Sequence, residues 1–243
     1  MDIRITPGKL CGTLEAPPSK SHAHRLMTAT WLAGKKISES LCTSEDTRAT
    51  FRCLNELHDG GILDCGESGS TLRFLLPIAG ALGKHCRFEG KGRLPERPIG
   101  VLLDEMARHG CKADGDHLPV TLEGKLTAGV YTLPGNVSSQ YVSGLMLALP
   151  LLTGPSEIRL TGALESAGYA GMTEEMLRRF GLELEKTPMG WRIPGGMKYQ
   201  SPGRLALGGD WSHAAFWLAA GCLAGPVTVT GLGPESTQPD RVI

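Results

Sequence analysis

The sequence has no excess of either charge, no long apolar run and no paired arrangement of cysteines. Lys and Arg number 25 against 25 Asp and Glu. No global field therefore draws the chain to nucleic acid or to an anionic membrane surface, and any anion site must be local. The longest apolar stretch, Leu145 to Leu152, falls far short of the ~20 residues that cross a bilayer. The opening MDIRITPGKL lacks both the apolar core and the small-residue cleavage site of a secretory signal. The seven cysteines, at 11, 42, 53, 65, 86, 111 and 222, are odd in number and show no CxxC or His/Cys ligand spacing. That pattern fits reduced thiols in a cytosolic chain and implies no metal.

What the sequence does have is size and internal repetition. Its 243 residues, 41% of them hydrophobic, suffice for a buried core and for one domain plus part of another. One pattern occurs four times. Its openings are Ser19-Lys20-Ser21-His22, Ser68-Gly69-Ser70-Thr71, Val137-Ser138-Ser139-Gln140 and Trp211-Ser212-His213-Ala214, each after a Pro- or Gly-containing turn. Each runs into an apolar segment: LMTATWLA, LRFLLPIAGAL, YVSGLMLALPLL and AAFWLAAGCLAG. Segments apolar nearly all round predict helices buried on every side.

A short β-type run follows each helix: ISESLC, CRFEG, SEIRLTG and VTVTGL. The first three copies then carry a second helix with a one-sided stripe, such as Ile99, Leu102, Leu103 and Met106, or Met172, Met176, Leu177 and Phe180. Two further strands, as in LPVTLEGKLTAGVYTLPG and LELEKTPMGWRIPGG, close the unit. The expected order is helix, strand, helix, strand, strand. The fourth copy stops near Gln238 to Ile243, at or before its second helix. A chain stopping inside such a unit leaves apolar elements uncovered, so a truncated unit is expected; the alternative is a closing strand and tail from Thr228.

Ser- and Gly-rich helix starts usually serve as N-caps. These differ in the charge beside them. Lys20 opens the first helix with Arg25 a turn further in, and Arg73 follows Thr71. Cations there oppose the helix dipole unless an anion is present, and a bound phosphate or carboxylate would reverse the penalty. Arg93 and Arg97 fit the same logic if Pro98 opens the next helix. His22 and His24 are two apart and make a poor metal pair, Gly66-Glu67-Ser68-Gly69 lacks the rest of a P-loop, and Asp46 reads as a helix cap.

Pro18-Ser19-Lys20-Ser21-His22-Ala23-His24-Arg25 resembles the P-x-S-K-S-x-x-x-R signature of 5-enolpyruvylshikimate-3-phosphate synthases. The resemblance continues, in order, through Gly66 to Arg73, Arg93-x-x-x-Arg97-Pro98, Ser138-Ser139-Gln140, Ser166-x-x-Tyr169 and Gly209-Asp210-x-Ser212. It implies an α/β enolpyruvyl-transferase-like fold whose lobes each hold three βαβαββ-type repeats, with buried helices and outer sheets. On that reading residues 1–17 are the first strand of a truncated lobe, 18–207 a complete substrate-binding lobe, and 208–243 the start of the truncated lobe.

The implied reaction moves the enolpyruvyl group of phosphoenolpyruvate to the 5-hydroxyl of shikimate 3-phosphate, with no cofactor and no metal. The resemblance assigns Ser138, Ser139, Gln140, Ser166 and Tyr169 to shikimate 3-phosphate, with Ser21 and Arg25 also touching it. It turns Lys20, Gly69 and Arg97 toward phosphoenolpyruvate and makes Lys20 the catalytic contributor. The acid/base carboxylates of similar proteins belong to a further stretch of chain. The implied protein is a cytoplasmic monomer that binds neither nucleic acid nor membrane. Rival readings are a non-catalytic anion-binding lobe and a UDP-N-acetylglucosamine enolpyruvyl transferase, which carries a Cys where this chain has Gly92. Three departures stand out: Glu67 where Asn is frequent, expected to pair with an Arg such as Arg73 or to turn away; Phe74 where Pro is frequent, expected to alter tolerance of glyphosate; and Gly168 where Pro is common.

Overall fold

The structure is a computed structural model that describes every residue except Met1, Asp2, Ile5, Pro7, Asp59, Arg204 and Ile243. In chain order the elements are β1 (Gly12–Glu15), α1 (Lys20–Leu32), α2 (Glu45–Glu56), β2 (Gly61–Asp64), α3 (Gly69–Leu82), β3 (Cys86–Glu89), α4 (Gly100–Arg108), β4 (Cys111–Ala113), β5 (Val120–Gly124) and β6 (Val130–Leu133). They continue with α5 (Ser139–Ala148), β7 (Ser156–Leu160), α6 (Ala167–Arg179), β8 (Glu185–Thr187), β9 (Gly190–Ile193), α7 (Trp211–Ala224) and β10 (Val227–Thr230). The chain divides into one unit of Lys20–Leu205 and another of Met1–Ser19 with Ala206–Ile243.

Within the larger unit, β2α3β3α4β4β5 and β6α5β7α6β8β9 are two complete repeats of identical topology. Their sheets run in the orders β2-β3-β5-β4 and β6-β7-β9-β8. In each, the leading strand is parallel to its neighbour and the last two pairings are antiparallel. Sheets cover the outside, and α3 and α5 fill the interior, every residue of α5 from Tyr141 to Ala148 being buried. The stripes on α4 and α6 are buried as their spacing predicts.

The first copy departs from the expected unit. ISESLC forms no strand; Ser38 caps a 3-10 turn at Glu39–Leu41 instead. Only β2 separates α2 from α3, so among the described residues this copy contributes two helices and no sheet of its own. The physical reason is length: the eleven residues from Leu57 to Glu67 leave room for one short strand and its turns. The outer face of α1 and α2 is consequently open, with Trp31, Phe51 and Ile37 lining a cavity of about 360 Å³ there.

Pro77 lies inside α3. It has no N–H to give the carbonyl of Arg73 four residues earlier, which is freed to face a neighbour. That neighbour is Gly144 of α5, where a Cβ would collide with Arg73 O and stand 3.0 Å from Pro77 Cγ. The absent side chain lets the two helices cross at backbone contact.

In the smaller unit, β1 pairs with β10 in parallel, and Asp210 caps α7 by accepting from His213 N–H at 3.0 Å. The expected first strand thus covers only Gly12–Glu15; Met1, Asp2, Ile5 and Pro7 lie outside the described residues. The uniform apolarity of α7 predicted burial, and the structure contradicts it. Only Ala214 is buried, while Phe216 and Leu223 are 80% and 90% exposed. A two-stranded sheet covers one side of a helix, and the segment at Gln238 to Val242 meets only the start of α7, with Trp211 N–H donating to Gln238 Oε1 at 3.0 Å and Ser212 Oγ to Asp240 Oδ2 at 2.7 Å. That leaves Phe216 and Leu223 uncovered within this unit. The terminal Pro239–Val242 segment is a 3-10 turn, and Ile243 lies outside the described residues. No helix among the described residues is long and apolar enough to cross a membrane.

Candidate functional site

A polar cavity of about 810 Å³ opens in the larger unit where helix starts converge. Its wall takes Lys20 and Ser21 from α1, Asp46 from α2, Gly69 and Ser70 from α3, Pro98 from the turn before α4, Ser139 and Gln140 from α5, and Tyr169 from α6. Five helices, α1, α2, α3, α5 and α6, therefore turn their N-terminal ends toward one space. Their free N–H groups and partial positive charges favour an anion there. All ten residues singled out by the motifs, Lys20, Ser21, Arg25, Gly69, Arg97, Ser138, Ser139, Gln140, Ser166 and Tyr169, line it.

Arg25 is 3% exposed and forms no ion pair among the described residues. Its Nε donates to Thr173 Oγ1 at 2.8 Å, Nη1 to Ser21 O at 2.8 Å, and Nη2 to Tyr169 O at 2.9 Å and Ser143 Oγ at 3.2 Å. Phe74 supplies an aromatic face 5.2 Å from the guanidinium carbon, so the residue standing where Pro is frequent props this cation. Burial lowers the Arg25 pKa to about 10, opposed by the nearby Tyr169. The group therefore stays charged at neutral pH with only neutral acceptors around it.

Arg73 is a second such cation, 7% exposed. Nη1 donates to Gln140 Oε1 at 3.0 Å and Nη2 to Pro98 O at 3.4 Å, while its buried Nε has no partner. Gln140 is fixed from its other end by donating from Nε2 to Ser70 Oγ at 3.0 Å. At Gly69 a Cβ would lie 2.5 Å from Arg73 Nη1 and 3.3 Å from Arg97 Nη1, so two guanidiniums close on its Cα. Arg73 was not among the motif-assigned site residues. The legible signal was a cation in the first turns of α3, like those at the other helix openings.

Three local expectations are corrected. Asp46 is not a cap: Ser44 caps α2 in a reciprocal pair with Thr47, and Asp46 instead accepts from Lys20 Nζ at 2.8 Å. Pro98 does not open α4, which starts at Gly100 after an Ile99 N-cap, because Pro95 and Pro98 hold a turn open. Arg97 thus comes from that turn, exposed, rather than from a helix. Of the two alternatives for Glu67, pairing with Arg73 is the one not met: Arg73 Nη1 and Nη2 donate to Gln140 and Pro98, and its buried Nε has no partner.

Beneath the Lys20–Asp46 pair, a chain of buried side chains ties three helices together. His24 Nδ1 meets Thr50 Oγ1 at 2.7 Å, Thr50 meets Thr71 Oγ1 at 2.6 Å, and Thr71 donates to Ser68 Oγ, the α3 cap, at 2.6 Å. Burial pushes His24 down to about 3, with Asp46 opposing and Lys20 and Arg25 adding to the shift. At the far side Ser166 holds φ 55°, the one non-glycine residue in the left-handed region among the described residues, and its side chain makes no helix-cap bond. Such a strained serine is costly to hold and is characteristic of sites rather than of scaffolds.

Residues 58–243 match the family model for EPSP synthase (3-phosphoshikimate 1-carboxyvinyltransferase). The 3-phosphoshikimate 1-carboxyvinyltransferase of Clostridium acetobutylicum is 37% identical over 269 aligned positions, covering 99% of this chain and 63% of the relative. That of Clostridium kluyveri is 38% identical over 266 positions, covering 99% and 62%. The chain therefore spans 62–63% of the length of these curated relatives. An alignment of 269 positions exceeds the 243 residues of the chain, so the relative carries internal segments absent here. Among solved structures, an EPSP synthase from Acinetobacter baumannii superposes with a TM-score of 0.71 at 21% identity, over 93% of this chain and 57% of the other. The enolpyruvyl transferase NikO from Streptomyces tendae gives 0.60 at 18% identity, over 92% and 58%. Both show a shared fold.

Proposed function

Because the chain belongs to the EPSP synthase (3-phosphoshikimate 1-carboxyvinyltransferase) family, we propose that its larger unit is the shikimate 3-phosphate-binding lobe of an enzyme that transfers the enolpyruvyl group from phosphoenolpyruvate. The observation that carries this reading is the pair of buried guanidiniums, Arg25 and Arg73, facing a cavity of helix starts without a carboxylate of their own. A buried cation lacking a counter-charge is costly, and an anionic ligand offsets that cost with charge-assisted hydrogen bonds.

In this reading Ser138, Ser139, Gln140, Ser166 and Tyr169, with Ser21 and Arg25, hold shikimate 3-phosphate, and Lys20, Gly69 and Arg97 face phosphoenolpyruvate. Lys20, steadied by Asp46 at 2.8 Å, stabilises negative charge as the carboxyvinyl group is transferred. The reaction needs a proton given to the methylene carbon and one taken from the 5-hydroxyl. Among similar proteins the carboxylates for those transfers come from a further lobe, so this chain alone is expected to bind without turnover. Gly92 stands where the UDP-N-acetylglucosamine enzymes carry a cysteine, and its φ of 55° is one that a cysteine adopts only with strain. The working protein is a cytoplasmic monomer in this proposal.

Calorimetry tests it. A saturable heat with shikimate 3-phosphate in the micromolar to millimolar range, without phosphate release when phosphoenolpyruvate is added, is the expected outcome. No saturable signal at millimolar ligand would sink the assignment of the lobe.

A further inference from the structure

The cavity is less positive than its arginines suggest. Its wall carries Lys20, Arg25, Arg73 and Arg97, but also Asp46, Glu67 and Glu165. Asp46 is spoken for by Lys20 at 2.8 Å. Glu67 is not: it is exposed and makes no hydrogen bond or ion pair with any described residue, although four cations share its cavity.

Its position is nevertheless defined. Glu67 lies immediately before Ser68, the α3 cap, so its backbone is fixed at the helix start on which Arg73 and Arg97 close. Its carboxylate rests flat on the Cα of Gly92, where a Cβ would stand 2.5 Å from Oε2 and 2.8 Å from Oε1. Gly92 is also at φ 55°, a conformation glycine adopts without strain. A turn that presents bare backbone gives the Glu67 side chain a seat beside the anion site, and no cation neutralises it there. The helix dipole at the α3 start favours a negative charge in that place whether it belongs to Glu67 or to a ligand. The two then compete for the same field.

We infer that Glu67 is a selectivity determinant of this cavity, an unpaired carboxylate seated on Gly92 that weakens anions bound at the α3 opening in proportion to their charge. Bare inorganic dianions are penalised more than monoanions. A larger ligand that also engages Ser138, Ser139 and Arg25 draws on further contacts in the cavity and outcompetes them. The inference rests on the reading of the cavity as an anion site, but it needs none of the proposed substrates for its test.

The test titrates sulfate and nitrate separately into the wild-type chain and into Glu67→Gln, reading binding at the Gly69 backbone amide by NMR. Sulfate stays divalent and nitrate monovalent at neutral pH, and Gln keeps the size of the side chain while removing its charge. Sulfate is expected to bind Glu67→Gln about three- to tenfold more tightly than wild type, as for removal of one like charge across a few ångströms of partly screened space. Nitrate is expected to gain only about the square root of that factor. Equal gains for both ions, no gain, weaker binding, or no response of Gly69 to sulfate in either protein would each overturn the inference. Sulfate behaving as expected while shikimate 3-phosphate fails to bind would sink the substrate assignment and leave the role of Glu67 standing.

Discussion

The carbonyl oxygen of Arg73 lies against the Cα of Gly144, and this contact joins the two most buried helices of the larger unit. It exists because Pro77 gives that carbonyl no helical N–H, and it sets the crossing from which the Arg73 side chain reaches Gln140. Gly144→Ala forces a methyl group into backbone that cannot rotate aside. The expected cost is roughly 2–3 kcal/mol, a fall in Tm of roughly 4–12 °C by thermal unfolding. An unchanged Tm would mean that the helices separate freely.

His24 makes stability depend on pH. It is fully buried and titrates near 3, against 6.5 when unfolded. Between those values the unfolded chain binds a proton that the folded one refuses, so this contribution is complete above pH 6.5 and is lost as pH falls toward 3. Denaturant unfolding from pH 6 to pH 4 should show wild type losing roughly 1.4 kcal/mol per unit more than His24→Gln. Parallel slopes for the two proteins would refute the buried neutral histidine.

Ser166 separates binding from folding. Its backbone at φ 55° costs a serine about 1 kcal/mol that glycine does not incur. Ser166→Gly should therefore leave Tm unchanged or raise it, while weakening shikimate 3-phosphate roughly fivefold through loss of one neutral hydrogen bond of ~1 kcal/mol. A lower Tm with full affinity would reverse the assignment.

The first repeat, lacking a sheet, is expected to open most readily. Native-state hydrogen exchange should show amides of α2 exchanging at lower free energy than those of α3 and α5, whose outer sheets are complete. Equal protection across all three would show that the α1–α2 pair needs no cover.

Much of this architecture was readable along the chain because each repeat has a local cause. Turn residues, a helix cap and a switch of apolar period are properties of adjacent residues, and the helices of the second and third copies with strands β3 and β5 to β9 fall where those signals put them, whereas the short β2 and β4 carried no such signal. The charged helix starts likewise marked Lys20, Arg25, Arg73 and Arg97 as candidates before any geometry. What local pattern misjudged was cover: the same all-round apolarity describes buried α5 and exposed α7. Burial depends on what packs opposite, which composition does not encode.

By itself, then, the sequence determined the family, the repeat and the polar residues at each opening. Tertiary structure decided that all ten line one cavity, that Asp46 steadies Lys20 rather than capping a helix, that Arg73 joins them, and that Glu67 is seated unpaired on Gly92. The reason is physical. Caps and periods act over one or two turns, whereas a charge finds or lacks its partner across elements tens of residues apart, at distances that only the packed fold sets.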